Sequence, residues 1–274
     1  MFNARQPGRI PREGMKQFSL TCLGVGDGWP CGDRRHAAFL YRFGKTTLLV
    51  DCGEPVDAAL RGYDLGTDTV DHILISHLHA DHIGGFFMLM QGLWLEGRRK
   101  DLSVRMPGGA IPPVREMLHT IFVFDELLNF RLKFLPLKSG RSFAVGDVRV
   151  TPFATTHLDG FRSKFQKKYP MDFSAFCFLF QSAGRRVGHS ADLGKPDDLD
   201  PLLEKPLDLL VCELAHFAPE ELFLYLRGRP VKRVLFMHLA RAYWEDLPNI
   251  KRLAGKLLPD IPHAFARDGT TFGW

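Results

Sequence analysis

Short apolar runs separated by turn-forming residues recur along the chain from Phe18 onward. Runs of this length, rich in Val, Ile, Leu and Phe and bounded by Gly, Pro or Asp, are typical of β-strands. We therefore expect strands at residues 18–23, 37–43, 46–51, 72–76, 103–106, 131–135, 148–154, 174–181, 185–189, 209–213, 233–238 and 263–266.

Apolar positions spaced three and four residues apart predict helices between these strands, at residues 56–62, 84–92, 114–128, 219–226 and 249–257. Strands interspersed with helices favour a layered α/β fold over a helical bundle or an all-β sandwich. Neither an internal repeat nor a Pro-, Gly- or Ser-rich linker divides the sequence, so we expect a single domain over residues 18–274. Residues 1–17 carry basic side chains but no apolar run, and we expect them to form a flexible lead-in.

Composition narrows the class of protein only a little. Hydrophobic residues make up 45% of the chain and charged residues 24%, which is typical of a globular protein and excludes a disordered one. The apolar runs are too short to cross a bilayer, so no membrane partner is predicted. A net charge of +5 mildly favours anionic partners without indicating nucleic acid. The five cysteines are scattered and include no C-x-x-C pair, which favours a reduced compartment and a cytoplasmic location.

Four side chains that commonly ligate metals fall close together after a predicted strand and before a predicted helix. They are His77, His79, Asp81 and His82. With 11 histidines in the chain, this pattern arises by chance in roughly one sequence in a thousand. Imidazole nitrogens and carboxylate oxygens suit zinc and similar divalent cations, so the pattern predicts a metal site.

This H-x-H-x-D-H pattern resembles the motif of the metallo-β-lactamase-fold hydrolases, a superfamily with a four-layer αββα sandwich. The resemblance extends to Asp51, His157, Asp192 and His238, each at or near the end of a predicted strand. It implies two metal sites that share one carboxylate. One metal would be held by His77, His79 and His157, and the other by Asp81, His82 and His238, with Asp192 bridging both.

The resemblance also implies roles around the metals. Asp51 would orient a ligating histidine, and Asp81, Glu213 and His216 are the candidate catalytic residues. His216, with Glu213 behind it, would protonate the leaving oxygen. Ala191 replaces a glycine of the usual pattern, which matters only if the backbone there has a positive φ. Whether His36, after the glycine-rich loop at residues 24–32, lines the site is left open.

The cofactors implied are two divalent ions, zinc first, with manganese or iron as alternatives. The corresponding mechanism is attack by a hydroxide that bridges the two metals. The interval between Asp192 and His238 is too short for a large nucleic-acid-processing insertion, and the stretch after His238 is too short for a glyoxalase II substrate domain. Among the other branches of the superfamily, the sequence is most similar to the one that contains ribonuclease Z and the cyclic-phosphate phosphodiesterase of phosphonate breakdown.

The first hypothesis is therefore a phosphodiesterase acting on a small anionic phosphodiester or nucleotide. A hydrolase of lactones or other acyl bonds is the alternative, and a non-catalytic or nucleic-acid-binding module is third. Nucleic acid is the less favoured substrate, because ribonuclease Z carries a long arm between the counterparts of His157 and Asp192 that this chain lacks. Residues 158–173 interleave basic and aromatic side chains, and both a nucleotide clamp and a solvated lid remain open for them.

Overall fold

Two seven-stranded sheets organise residues 18–274, the part of the chain that the computed structural model describes. The predicted lead-in at residues 1–17 lies outside the described residues. The first sheet contains β1 (Phe18–Gly24), β2 (Ala38–Phe43), β3 (Thr46–Val50), β4 (His72–Leu74), β5 (Leu102–Met106), β6 (Leu132–Pro136) and β14 (Thr271–Gly273). The second contains β7 (Phe143–Val145), β8 (Val148–Thr155), β9 (Ala175–Ser182), β10 (Arg185–His189), β11 (Leu209–Leu214), β12 (Val234–Leu239) and β13 (His263–Phe265).

Each sheet combines antiparallel hairpins with a run of parallel strands. The strand orders are β14-β1-β2-β3-β4-β5-β6 and β13-β12-β11-β10-β9-β8-β7. Strands β3 to β6 are parallel, as are β10 to β13. Parallel neighbours require crossover connections, which here contain helices. The α-helices within residues 18–274 are α1 (Val56–Gly62), α2 (Ala80–Ile83), α3 (Phe86–Leu95), α4 (Ile111–Thr120), α5 (Asp159–Phe165), α6 (Asp200–Leu203), α7 (Pro219–Leu226), α8 (Arg241–Glu245) and α9 (Leu247–Leu257).

Three apolar clusters hold the layers together. One lies between the two sheets and includes Leu48, Phe178 and Val211. A second packs α1, α3 and α4 on the outer face of the first sheet, and a third packs α6, α7 and α9 on the outer face of the second. The central strands are apolar on both faces for this reason. The predicted four-layer αββα single-domain fold is confirmed. Within residues 18–274, no helix is long and apolar enough to span a bilayer.

Two of the predicted helices were placed incorrectly. The helix predicted at residues 84–92 is present as α3, but it begins at Phe86 and ends at Leu95. Gly84 and Gly85 separate it from α2, and the Gly85 amide donates to the carbonyl of Cys52. The helix predicted at 114–128 ends at Thr120, where Phe122 adopts a φ of +63°. Sequence reasoning also missed the short edge strands β7 and β14, and helix α5.

Candidate metal centre

The candidate ligands lie together because strand ends from both sheets meet at one edge of the sandwich. His77 and His79 follow β4, and Asp81 and His82 occupy the short helix α2 directly after them. The second sheet contributes the remaining ligands: His157 after β8, Asp192 after β10 and His238 near the end of β12. Loops at the carboxyl ends of strands are the usual place for functional side chains in layered α/β folds.

One group of ligand atoms surrounds Oδ2 of Asp192. The Nε2 atoms of His77 and His157 lie 3.7 and 3.6 Å from this oxygen. Nδ1 of His79 lies 3.1 Å from Nε2 of His157, which places a third nitrogen in the same group. These ligand atoms all lie within 4.8 Å of one another.

A second group surrounds the other carboxylate oxygen of Asp192. The Nε2 atoms of His82 and His238 each lie 3.3 Å from Oδ1. Oδ2 of Asp81 lies 3.4 Å from Nε2 of His82 and 3.6 Å from Nε2 of His238. Asp192 therefore directs one oxygen at each group, and the structure brings together all seven residues expected as ligands.

The polar atoms at the centre of the two groups fit a divalent cation. Nε2 of His77, Nε2 of His82 and Oδ1 of Asp192 are buried and accept or donate no hydrogen bond among the described residues. Buried polar atoms are rarely left without a partner, so several that converge on one point indicate a ligand. Imidazole nitrogen and carboxylate oxygen are donors that zinc, manganese and iron all accept.

The pKa values of the histidines in the centre are shifted in opposite directions. Burial lowers the pKa of His77 well below its usual value and that of His157 to about 4, so both are in the neutral, ligating form. Burial acts the same way on His82 and His238, but the neighbouring Asp192 outweighs it and raises the pKa of both. Burial would raise the pKa of Asp192, yet His238 and His82 hold it well below its usual value.

Asp51 forms hydrogen bonds that hold His82 and the neighbouring Ser76 in place. It follows β3 with a φ of +60°. Its Oδ2 accepts a hydrogen bond from Nδ1 of His82 at 2.8 Å, and its Oδ1 accepts one from the Ser76 amide at 2.7 Å. The hydroxyl of Ser76 also donates to Asp51, at 2.9 Å, and lies 3.0 Å from Nδ1 of His77. The orienting contact expected of Asp51 is thus present in the structure, and Ser76 adds a second one that sequence reasoning missed.

Glu213 and His216 form a pair on the open side of the centre. Nδ1 of His216 lies 2.8 Å from Oε1 of Glu213, and its Nε2 lies 3.7 Å from Oδ2 of Asp192. Glu213 is fully buried, whereas the His216 side chain is 32% exposed. Burial would lower the pKa of His216, but the hydrogen bond and charge of Glu213 raise it to about 9. Glu213 therefore favours the protonated form of His216.

Residues 18–216, which contain every candidate ligand except His238, match the family model described as Anti-Pycsar protein Apyc1. The chain belongs to this Apyc1 family. Among curated relatives, Ribonuclease Z of Archaeoglobus fulgidus is 31% identical over 141 residues, which cover 52% of this chain and 45% of that protein. The Apyc1-family chain thus spans about half the length of the curated relatives it matches.

Solved structures establish the fold of this Apyc1-family chain. The metallo-beta-lactamase fold protein YhfI from Bacillus subtilis superposes with a TM-score of 0.73 at 19% identity, covering 94% of this chain and 99% of that one. Human tRNase Z, short form, superposes with a TM-score of 0.69 at 19% identity, covering 93% and 98%. The resemblance to the metallo-β-lactamase-fold superfamily, in the branch of ribonuclease Z, is confirmed.

Asp198 is a positioning residue of the Apyc1-family chain that sequence reasoning missed. Its Oδ2 accepts hydrogen bonds from the Thr156 and Gly194 amides, both at 2.9 Å. Because Thr156 precedes His157 and Gly194 follows Asp192 closely, one buried carboxylate ties two ligand-bearing loops together. Asp198 follows another aspartate in an ordinary polar turn, so no pattern in the sequence distinguished it.

The structure shows the surroundings of Ala191, His36 and His189 in the Apyc1-family chain. Ala191 has a φ of +45°, so an L-residue with a Cβ does occupy a left-handed position there. Nδ1 of His36 lies 2.8 Å from the carbonyl oxygen of Asp27, a contact that braces the glycine-rich loop. His189 is buried, with its Nδ1 2.8 Å from the hydroxyl of Tyr41, in keeping with a structural role.

Proposed function

We propose that the protein is a hydrolase that uses two divalent cations, zinc or alternatively manganese or iron, to cleave a small anionic phosphodiester or nucleotide. The observation that carries the proposal is the position of Asp192, which directs a separate oxygen at each of two ligand groups. When bound, such a pair of cations lowers the pKa of a water molecule and neutralises charge that develops on the attacked phosphorus.

The chain's own residues supply the remaining chemistry. Asp192 and Asp81 provide the negative charge that two cations require, and Asp51 fixes His82 with Nε2 towards the centre. His216 is partly exposed and its protonated form is favoured by Glu213, so it can donate a proton to the leaving oxygen of a bound substrate. Glu213 also holds His216 in place.

The charge of His216 favours the phosphodiester over the lactone. Glu213 favours the positively charged form of His216 beside Asp192, and an anionic substrate is attracted to that charge, whereas a neutral lactone is not. The names Ribonuclease Z and tRNase Z among the relatives support a phosphate-ester substrate. RNA remains the less favoured phosphate-ester substrate. Only α5 and a short loop lie between His157 and β9, where ribonuclease Z has its long arm.

The test compares bis(p-nitrophenyl) phosphate with a panel of lactones, with zinc or manganese added, after elemental analysis of the purified protein. We expect about two metal ions per chain and turnover of the phosphodiester. The variant Asp192→Asn should lose both metal and turnover, while the exposed neighbour variant Asp197→Ala should retain both. Lactone cleavage without phosphodiester turnover would favour the alternative hydrolase. A protein with neither metal nor activity after reconstitution would be a non-catalytic module.

A further inference from the structure

A cavity of about 720 Å³, here called the α9 cavity, lies beside the glycine-rich loop. The loop between β1 and β2, helices α8 and α9, and the turn between β13 and β14 enclose it. None of the described residues that line it is a candidate metal ligand. Its volume lies within the range of about 300–1,000 Å³ that is usual for small-molecule sites. The α9 cavity is therefore large enough to hold a ligand of its own.

The glycine-rich loop separates the α9 cavity from the metal centre. Val25 lines the cavity, whereas a Cβ on Gly28 would lie 3.6 Å from Oδ2 of Asp81. The Val25 amide donates a hydrogen bond to Oδ1 of Asp268 at 3.1 Å. The Val25 carbonyl accepts one from the His238 amide at 3.0 Å. The cavity and the metal centre are thus different sites on the two sides of one loop.

Apolar residues form one wall of the α9 cavity. Val25 and Leu247 are aliphatic, and Trp244 contributes an indole ring. The guanidinium carbon of Arg34 lies 5.1 Å from the centroid of that ring, which is a cation–π contact. Nε1 of Trp244 forms no hydrogen bond with a described residue, so packing contacts hold the indole in place. Such a wall suits a planar apolar group, because aromatic rings pack well on an indole.

The charges around the α9 cavity suit an anion. Lys251 on α9 and Arg267 just after β13 are exposed, and neither forms an ion pair with a described residue. The two carboxylates that line the cavity are already engaged. Asp33 pairs with Arg34 at 2.9 Å, and Asp268 accepts hydrogen bonds from two backbone amides, at 3.1 and 2.8 Å. The cations without acidic partners give the cavity a positive potential, which attracts anionic ligands.

We propose that the α9 cavity binds a small aromatic anion, with its ring packed on the wall at Trp244 and its acidic group held by Lys251 and Arg267. A sulfonate, carboxylate or phosphate group meets this requirement, because each offers charged oxygen acceptors to the two cations. The ring adds the apolar area that an inorganic anion lacks. The site goes beyond the proposed function and does not depend on it, since no candidate metal ligand lines the cavity.

The probe is naphthalene-1-sulfonate, and its binding to the zinc-loaded full-length chain is followed by NMR of the indole N–H groups. The chain has four tryptophans, and the signal of Trp244 is identified by its absence from Trp244→Phe. We expect the probe to shift this signal until it saturates. The neutral naphthalene-1-sulfonamide has the same ring without the charge, so it should bind about 3- to 10-fold more weakly.

Lys251→Gln and Arg267→Gln test the charge of the α9 cavity. Each should weaken probe binding by about two- to fivefold, which is the range expected for one exposed charge pair. Lys256→Gln removes an exposed lysine of the same helix that does not line the cavity, so its Kd should equal that of the wild type. The metal-free protein should bind the probe with the same Kd as the zinc-loaded protein.

An unshifted Trp244 signal at millimolar probe would overturn the proposal. Equal weakening by Lys251→Gln and Lys256→Gln would overturn it as well, since binding would then follow the net charge of the chain. Binding that requires zinc would assign the probe to the metal centre and not to the α9 cavity. Equal affinity for the sulfonate and the sulfonamide would overturn the assignment of an anion.

Discussion

The imidazole of His82 is fixed by Asp51 through a single hydrogen bond of 2.8 Å between Nδ1 and Oδ2. This contact turns the other ring nitrogen, Nε2, towards Asp192, from which it lies 3.3 Å away. Both side chains are buried, so no water molecule from bulk solvent can readily replace the carboxylate. The tautomer and direction of a ligand on α2 are thus set by a residue at the end of β3, and the metal centre depends on the pairing of β3 with β4.

Removal of this contact in Asp51→Ala should weaken metal binding. Partners that orient a ligating histidine are typically worth about 10- to 100-fold in metal affinity or activity. Zinc titration with a competing chelator measures the affinity, and circular dichroism establishes that the variant is folded. Asp33→Ala, at an exposed position, is the control. Wild-type zinc affinity in folded Asp51→Ala would contradict the orienting role.

Ala191→Gly should stabilise the protein slightly. Ala191 has a φ of +45°, and the left-handed conformation costs an L-residue roughly 1–2 kcal/mol. Glycine removes this cost but adds about 0.4–1 kcal/mol of unfolded-state entropy, so a net gain between zero and about 1.6 kcal/mol is expected. Thermal denaturation measures it.

Ala183 provides a matched position, since its φ is also +45° but it lies in the turn between β9 and β10. Ala183→Gly should give a similar gain in the free energy of unfolding. A loss of stability in Ala191→Gly alone would mean that the Cβ of Ala191 is needed for packing.

Asp198→Ala should loosen the loops that carry His157 and Asp192. The variant removes the charged acceptor of two part-buried hydrogen bonds, from the Thr156 and Gly194 amides, at a cost of roughly 1–3 kcal/mol in the free energy of unfolding. Zinc affinity should fall together with stability, since the same loops carry the ligands. Denaturation curves with and without zinc separate the two effects. The neighbouring variant Asp197→Ala should change neither quantity, and an equal effect of both substitutions would contradict the positioning role.

The free energy of unfolding should fall as the pH is lowered, and His72 should account for part of this loss. Burial, followed by the charge of Arg105, lowers the pKa of His72 to about 3, against about 6.5 in the unfolded chain. Between these values the unfolded chain binds a proton that the folded protein does not, so stability is full above about pH 6.5 and falls as pH drops towards 3. The slope from one such group approaches about 1.4 kcal/mol per pH unit.

The measurement is the free energy of unfolding from urea titrations between pH 7 and about pH 4.5. His72→Gln should show a shallower loss of stability with acid than the wild type. His119→Gln, at an exposed position on α4, should keep the wild-type slope. Identical slopes for all three proteins would show that His72 takes no part in acid destabilisation.

The strand pattern predicted most of the fold, and the places where it failed have physical reasons. Central strands such as β9 are buried on both faces, so they form long apolar runs that are easy to recognise. The edge strands β7 and β14 contain three residues each and are partly exposed, so they leave no such run. Helix α5 has no buried residue, so its sequence lacks the apolar stripe that marks a helix.

The sequence by itself determined where the metal chemistry resides, because His77, His79, Asp81 and His82 lie on one turn and their spacing is a local property. It also determined the α/β layers, since burial of a strand or helix face imposes its own period on the chain. Only the tertiary structure decided which oxygen of Asp192 faces which histidines, that Asp198 joins two ligand loops, and that Phe161 stands beside His79. These contacts join residues far apart in sequence, and they depend on how strand ends from two sheets meet in space, which no local pattern encodes.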